Sequence, residues 1–345
     1  MDETPTRLIY AERLNRVLDY IAAHLDGDLS LENLARVACF SPYHFHRLFK
    51  GAFGETVHQH VQRQRLERSA RLLKSAPDRT ATEVALEVGY PGLSEFSRAF
   101  KKHFGTSPGA WDRVTPLPNS KICKAPEPFP RYDPAELAEI EARQEFRIRM
   151  KTFPRSRFAF FRVHDAYGNQ RLVEAYAQLI AWLGSQGLGY RDVVIAGMSQ
   201  DDPEVTPPEK CRYDMGALWP LDLDLDSAEP LANSGVLGGL LADRGLDAAA
   251  LARISRSVEA WRPGGTPLAE GMSFRDFETC PAACVVLGGA LDLFDRAYQF
   301  LFRHWLPESR YVPADLPGME LFRRVPEEIG WETFDIESVL PLAAP

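Results

Sequence analysis

Ser30-Leu-Glu-Asn-Leu-Ala-Arg-Val-Ala-Cys-Phe-Ser-Pro-Tyr-His-Phe-His-Arg-Leu-Phe-Lys50 has the layout of two short helices around a tight turn. Ser30 is a good N-cap for a helix over 31–38. Ser41 caps the next, with Pro42 at the first helical position, where its missing N–H costs nothing. A second stretch repeats the layout: Thr80-Ala-Thr-Glu-Val-Ala-Leu-Glu-Val-Gly-Tyr-Pro-Gly-Leu-Ser-Glu-Phe-Ser-Arg-Ala-Phe-Lys101. Thr80 and Glu83 match a capping box. Gly89 and Tyr90 form the turn, and a helix is predicted from about Leu93 to Phe104. Phe45, Arg47, Phe49, Lys50, Phe53 and Gly54 recur as Phe96, Arg98, Phe100, Lys101, Phe104 and Gly105, each 51 residues on. Two reading heads on one chain make sequence-specific duplex DNA the leading target.

Around these units, Leu14, Val17, Leu18, Ile21 and Leu25 form one helical stripe. Val57 to Lys74 has no Gly or Pro and is predicted as one long helix holding the readers at fixed spacing. Leu34, Ala35, Val37, Ala38, Phe45, Leu48, Phe49 and Phe53 are expected in the core of the first unit, with Phe96, Phe100 and Phe104 in the second. The net charge of −8 suits DNA poorly until it is divided. Residues 1–115 hold 16 Lys and Arg against 14 Asp and Glu, a balance of +2, and the remainder carries −10. Arg47, Lys50, Arg63, Arg65, Arg68, Arg71 and Lys74 concentrate positive charge where DNA contacts belong.

At 345 residues the chain fits two or three domains, and a 45 % hydrophobic composition implies folded structure. The N-terminus lacks a signal-peptide layout and no apolar run reaches membrane-spanning length, so a cytoplasmic protein without membrane contact is expected. The five cysteines have no zinc-ligand spacing and are expected as reduced thiols, Cys280 and Cys284 in the core. His44 and His46, like His58 and His60, are two apart on helices and share no face as metal ligands. No metal or cofactor is expected.

The order of motifs, closing on Phe100-Lys-Lys-His-Phe-Gly-Thr-Ser-Pro-Gly-Ala-Trp111, resembles the AraC/XylS family of transcription regulators over roughly 8–115. The resemblance implies an all-α double helix-turn-helix domain whose two second helices enter successive major-groove segments. By position it assigns Tyr43, His46 and Arg47 to base edges from the first reader and Ser94, Ser97 and Arg98 from the second. Lys50 and Lys101 are better placed for phosphates. The second reader opens on Pro91-Gly92-Leu93, less polar than is usual for that family. Double-stranded DNA and RNA polymerase are the implied macromolecular partners.

Prolines are dense from Thr115 to Pro134, so 116–144 is expected as a tether, with a short charged helix over 135–143. Beyond it the sequence is twofold repetitive. Strand-like stretches 146–153 and 274–279 are each followed by an apolar strand (157–163; 283–288) and an amphipathic helix (169–184; 294–306). Two further strands close each copy (193–199 with 211–219; 319–325 with 331–340). The whole is thus expected to be multidomain: the helical DNA-binding part, then an α+β part of two β-β-α-β-β repeats around a ligand cleft.

Residues 145–342 resemble the GyrI-like effector-binding domain, on Asp201-Asp-Pro-Glu-Val-Thr-Pro-Pro-Glu-Lys-Cys-Arg-Tyr-Asp214 and Trp305-Leu-Pro-Glu-Ser-Arg-Tyr-Val-Pro-Ala-Asp-Leu-Pro-Gly-Met-Glu320. Leu221 to Arg262 departs from the pattern, which leaves the shape of one cleft wall open. The resemblance implies a small-molecule effector, cationic and lipophilic, facing a buried glutamate at Glu320. A carboxylate in the apolar strand Met319-Glu-Leu-Phe322 is costly to bury unless a cation partners it. Aligning the repeats on Pro203 and Pro326 sets Gly197 against Glu320, leaving one acid and open space. Tyr176, Tyr213, Trp219, Trp305 and Phe322, with Phe160, are candidate lining aromatics; the alternative is that they are core and that Glu320 pairs with Arg323.

Two other functions compete with a ligand-responsive regulator. Glu320 with Tyr213 or Tyr176 could do acid–base chemistry, as the resemblance implies for hydrolases of reactive small molecules. The acidic C-terminal part could instead bind a protein. Neither explains a double reader, so no catalytic residue is assigned.

Overall fold

In the computed structural model the structure describes residues 4–75, 78–111, 146–166, 170–201, 208–227, 229–261, 271–289, 319–331 and 333–343, with isolated positions between 202 and 318. These fall into two compact units. The expected tether 116–144 and its helix lie outside the described residues.

The first unit is helical: α1 (Thr4–Ala23), α2 (Leu31–Val37), α3 (Pro42–Phe53), α4 (Val57–Ser75), α5 (Ala81–Glu87) and α6 (Leu93–Phe104). The capping chemistry sets the boundaries as expected. Ser30 Oγ accepts from the Asn33 amide and Ser41 Oγ from the His44 amide, and the Thr80–Glu83 capping box is complete. Helix α6 differs: Gly92 stands at its N-cap and supplies no side-chain hydrogen bond.

Each reader has its own apolar core. Leu18, Ile21, Leu34, Phe45 and Phe49 close the first, and Val84, Phe96, Phe100, Phe104 and Trp111 the second. Helix α4 serves both, giving Val57 and Val61 to the first core and Leu66, Ala70 and Leu73 to the second. At 1.5 Å per residue its 19 residues span about 28 Å. Leu48, expected in the core, is only half-buried, because Phe45 and Phe49 already fill the inward face of α3.

The second unit is built on one eight-stranded antiparallel sheet: β1 (Arg149–Phe153), β2 (Ser156–His164), β3 (Val194–Ser199), β4 (Arg212–Pro220), β5 (Met272–Phe277), β6 (Cys280–Gly289), β7 (Met319–Arg324) and β8 (Phe334–Pro341). Their order is β1-β6-β8-β7-β3-β4-β2-β5. Exchanging each strand for its counterpart in the other repeat reverses this order onto itself, so the sheet is twofold. The first strand of each repeat pairs in the other half, β1 on β6 and β5 on β2. The halves are therefore stitched together rather than merely abutted.

Helix α7 (Arg171–Ser185) packs on β2 and β4. Its counterpart in the second repeat is described at Leu293, Arg296, Ala297, Phe300 and Leu306, all helical. The atypical segment 221–262 is part of the fold. It forms α8 (Gly235–Ala242) and α9 (Ala248–Glu259), whose Leu237, Leu241, Leu251 and Ile254 join the main apolar cluster. Arg244 donates to the carbonyls of Tyr190 and Val193, and Trp261 packs on Trp182 at 5.0 Å.

Two ion pairs are sealed beside this core. Arg162 forks onto Asp214 through two 2.7 Å contacts, each side chain 1 % exposed, and Arg212 forks onto Asp201 at 2.7 and 2.8 Å. Removing one partner strands a desolvated charge, which is far worse than losing the pair. Arg162→Met is therefore expected to cost about 3–5 kcal/mol in denaturant unfolding. A loss below about 1 kcal/mol, typical of a solvent-exposed pair, would show that water reaches Asp214.

Candidate functional site

The two central strands of the sheet, β3 and β7, pair antiparallel with Gly197 opposite Glu320. Those residues are also each other's repeat counterparts, a coincidence possible only on the twofold axis. Paired residues project to one face and alternate along each strand. The face of Glu320 therefore carries Gly197 and Ser199 of β3, Tyr213 and Met215 of β4, Phe322 of β7 and Ser338 of β8.

Gly197 makes room for a phenol from the neighbouring strand. A Cβ there would lie 1.6 Å from the Tyr213 hydroxyl, so the tyrosine occupies the volume a side chain would need. From that position Tyr213 donates to Glu320 Oε2 at 2.5 Å. Arg323, the alternative partner, points to the other face and bonds Asp335 at 3.1 Å. Among the described residues no cation is paired with Glu320. Burial, only partly offset by the tyrosine hydrogen bond, pushes its carboxyl up to about 7. The repeat counterpart of Tyr213 is Ile336, so the site is asymmetric: one acid, one phenol and an apolar opposite wall.

The candidate aromatics separate. Phe322 stands two residues from Glu320 on the same face, and packs with the cluster containing Val285, Leu287, Ile336 and Trp305. Trp305 stacks on Tyr311 with ring centroids 6.3 Å apart. Tyr176 is committed elsewhere: its hydroxyl donates to Glu327 and its ring meets Trp331 edge-on at 5.2 Å. Burial and that carboxylate together raise its phenol pKa, so it is a poor proton donor. Trp219 lies on the face of Tyr213 but six residues along β4, about 20 Å away at strand spacing. It is fully buried, with its indole N–H on Ser255 of the inserted helix α9, and is core rather than lining. Phe160 projects to the opposite face, stacked on Phe158 beneath Arg162. Trp331, exposed beside Tyr176, does not stand out in the sequence; an isolated aromatic in a turn gives no periodic signal.

On the helical unit, the proposed DNA contacts share one face of each second helix. Tyr43, His46, Arg47 and Lys50 stand at i, i+3, i+4 and i+7 of α3, and Ser94, Ser97, Arg98 and Lys101 at the same phase of α6. His46 and Ser97 are half-buried and the other six exposed. Arg47 donates to the Tyr43 hydroxyl at 2.9 Å with its guanidinium over the ring, which preorders both. Two of the expected basic contacts are absorbed internally. Arg63 is buried between Glu55 and Glu67, at 2.7 and 3.1 Å, and Arg65 turns inward to the Leu25 carbonyl. A run of charge in sequence does not say which charges already have partners.

The profile of the GyrI-like small molecule binding domain matches residues 146–342, and a helix-turn-helix domain profile matches 34–113. The chain belongs to the GyrI-like family and carries an AraC-type helix-turn-helix domain ahead of it. Among curated relatives, the probable transcriptional regulator LumQ of Photobacterium leiognathi is 38 % identical over 99 residues, 28 % of this chain and 40 % of that protein. The right origin-binding protein of Escherichia coli K12 is 34 % identical over 97 residues, 28 % of this chain and 33 % of that protein. The chain thus spans well under half the length of these relatives. The C-terminal domain of AraT, a response regulator from Geobacillus stearothermophilus, is a similar solved structure, 34 % identical over 29 % of this chain and 83 % of that one, with a TM-score of 0.28. Among the described residues no helix is long and apolar enough to cross a membrane, and no cluster of three metal-binding side chains occurs.

A carboxyl near 7 in the folded chain and near 4.5 unfolded makes the native state the better proton binder between those values. Stability therefore falls as pH rises through that window. Glu320→Gln removes the effect, so the variant is expected to match wild type at pH 4 and exceed it by about 3 kcal/mol at pH 8. Equal stability of the two proteins at both pH values would place the carboxylate in water.

Proposed function

We propose that this chain is a DNA-binding transcription regulator whose C-terminal domain senses a small lipophilic cation. The observation that carries the sensing half is Glu320: an acid on the twofold axis, half-buried, without a counter-cation among the described residues, held by one tyrosine hydroxyl that a ligand can replace. A hydrophobic cation supplies the missing charge and lays its apolar body on Phe322, with Trp305 behind it in the same cluster. Tyr176 belongs to the wall through Glu327 and Trp331 rather than to the floor.

Support for the reading half comes from the repeat. The same four phases of α3 and α6 are presented to solvent from two cores joined by one helix. In our reading Tyr43, His46, Arg47, Ser94, Ser97 and Arg98 meet base edges in duplex DNA, and Lys50 and Lys101 meet phosphates. Residues 8–115 and 145–342 act as separate folding units on the 116–144 tether, and RNA polymerase is the partner through which bound DNA is read out. We place the protein in the cytoplasm and assign no enzymatic step. Glu320 and Tyr213 could exchange a proton, yet a hydrolase leaves both reader faces without purpose.

Arg47→Ala is expected to cost about 1–3 kcal/mol of operator affinity and to relax preference at one base pair. Lys50→Ala weakens all duplexes alike and reduces the salt slope by about 0.9. Mobility-shift titration over a salt series separates the two; an Arg47→Ala protein with unchanged affinity and preference removes α3 as a reader.

For the sensing half, Glu320→Gln keeps the shape and deletes the charge. Calorimetry with a matched pair of cationic and neutral aromatic ligands is expected to show roughly tenfold or greater loss for the cation and little for the neutral analogue. Equal losses for both, or no binding to wild type, would refute a cation sensor.

A further inference from the structure

Arg65, in the middle of α4, turns inward and touches both readers. Arg65 Nε donates to the Leu25 carbonyl at 2.8 Å, in the turn after α1 in the first reader. Its guanidinium also lies against Gly89, the turn glycine of the second reader. A Cβ at Gly89 would sit 2.4 Å from the Leu25 carbonyl oxygen and 2.8 Å from Arg65 Nη2. Gly89 has φ +83°, in the region glycine favours, so both conformation and crowding select glycine there. Leu25, Arg65 and Gly89 thus form one three-way contact joining the first reader, the linking helix and the second reader.

Neighbouring groups brace this contact. Tyr90, beside Gly89, donates to Gln62 of α4 at 2.8 Å. Two residues before Arg65 on the helix, the buried Arg63 is held by Glu55 and Glu67, and Glu55 also meets His60 Nδ1 at 2.9 Å. Val57 and Val61 anchor α4 to the first reader and Leu66, Ala70 and Leu73 to the second, but apolar contacts are non-directional and do not by themselves fix how each reader is rolled about the helix axis. A planar guanidinium fixed to a carbonyl on one side and to a bare backbone on the other removes that freedom.

We propose that Arg65 is a positioning residue for DNA reading, setting the rotational phase between α3 and α6 and hence the half-site spacing the protein accepts. Duplex DNA turns about 34° and rises about 3.4 Å per base pair, so one inserted pair displaces a half-site from a rigid reader. The inference rests on the two-reader interpretation of the helical unit.

The test uses the full chain and a duplex selected by it from a random library. One base pair is inserted or deleted between the two half-sites, and affinities are measured by fluorescence anisotropy over a salt series. Wild type is expected to lose on the order of 30-fold on either change, the worth of one or two lost base contacts. Arg65→Gln is expected to lose less than about fivefold for the same changes while binding the selected duplex about tenfold more weakly. Its salt slope should equal that of wild type, because no phosphate contact is removed. A spacing penalty as large as wild type's, or a slope reduced by about 0.9, overturns the proposal; the latter makes Arg65 a phosphate contact. Arg65→Lys, which keeps a donor for Leu25 but cannot lie flat on Gly89, carries the same spacing readout if the glutamine variant does not fold. If wild type shows no spacing penalty, the two-reader interpretation itself fails.

Discussion

The antiparallel pairing of β3 on β7 is where the two halves of the C-terminal sheet meet, and it places the domain's chemistry. Each repeat alone is an incomplete sheet, and the exchange of β1 and β5 between halves works only if the two centres meet in register. The register that satisfies this sets Gly197 beside Glu320 on the axis. Symmetry would give two facing side chains there, and two acids would repel at that distance. Replacing one by glycine admits the Tyr213 phenol, which supplies one hydrogen bond and no charge. The carboxylate is thereby housed at the seam without being neutralised. Its raised pKa comes from burial, which the tyrosine hydrogen bond offsets only in part.

The helical unit solves a related problem by different means. It also repeats one module, but its two copies keep separate apolar cores and share a helix instead of a sheet. Registration cannot come from strand pairing, so it falls to polar contacts around α4: Arg65 to Leu25 and Gly89, Tyr90 to Gln62, and Arg63 between two buried glutamates. These contacts are directional, which is what the fixed reading phase we propose requires.

Much of this is legible in the sequence because the signals are local. Caps at Ser30, Ser41 and Thr80 depend on a few neighbouring atoms, and the repeated Phe and Gly positions mark helix faces and ends. Alternation in 146–153 and 274–279 and the apolar runs 157–163 and 283–288 mark strands of the second unit, and the repeat alignment already sets Gly197 against Glu320. What escapes depends on contacts distant in sequence. Trp219 is an inward aromatic near the right face, and only the packing of the inserted helix α9 shows that Ser255 covers it. Phe160 differs from its strand neighbour Phe161 by one position, which is the difference between the two faces. Arg63 and Arg65 count as positive charge in composition, yet Glu55, Glu67 and the Leu25 carbonyl already hold them. Arg323 is three residues from Glu320 and bonds Asp335 across the bulge in β7 instead.

The central claim is that Glu320 is a partly desolvated acid awaiting a cation, and its own titration tests this most directly. With the side-chain carboxyl labelled with ¹³C, its chemical shift is tracked across a pH series, free and saturated with a lipophilic cation. The account predicts a midpoint near 7 in the free protein, as desolvation requires. Saturation with the cation is predicted to drop the midpoint below about 5, toward and past the ordinary carboxylate value. A free-state midpoint between about 4 and 5, unmoved by the cation, would mean a solvated carboxylate and contradict it.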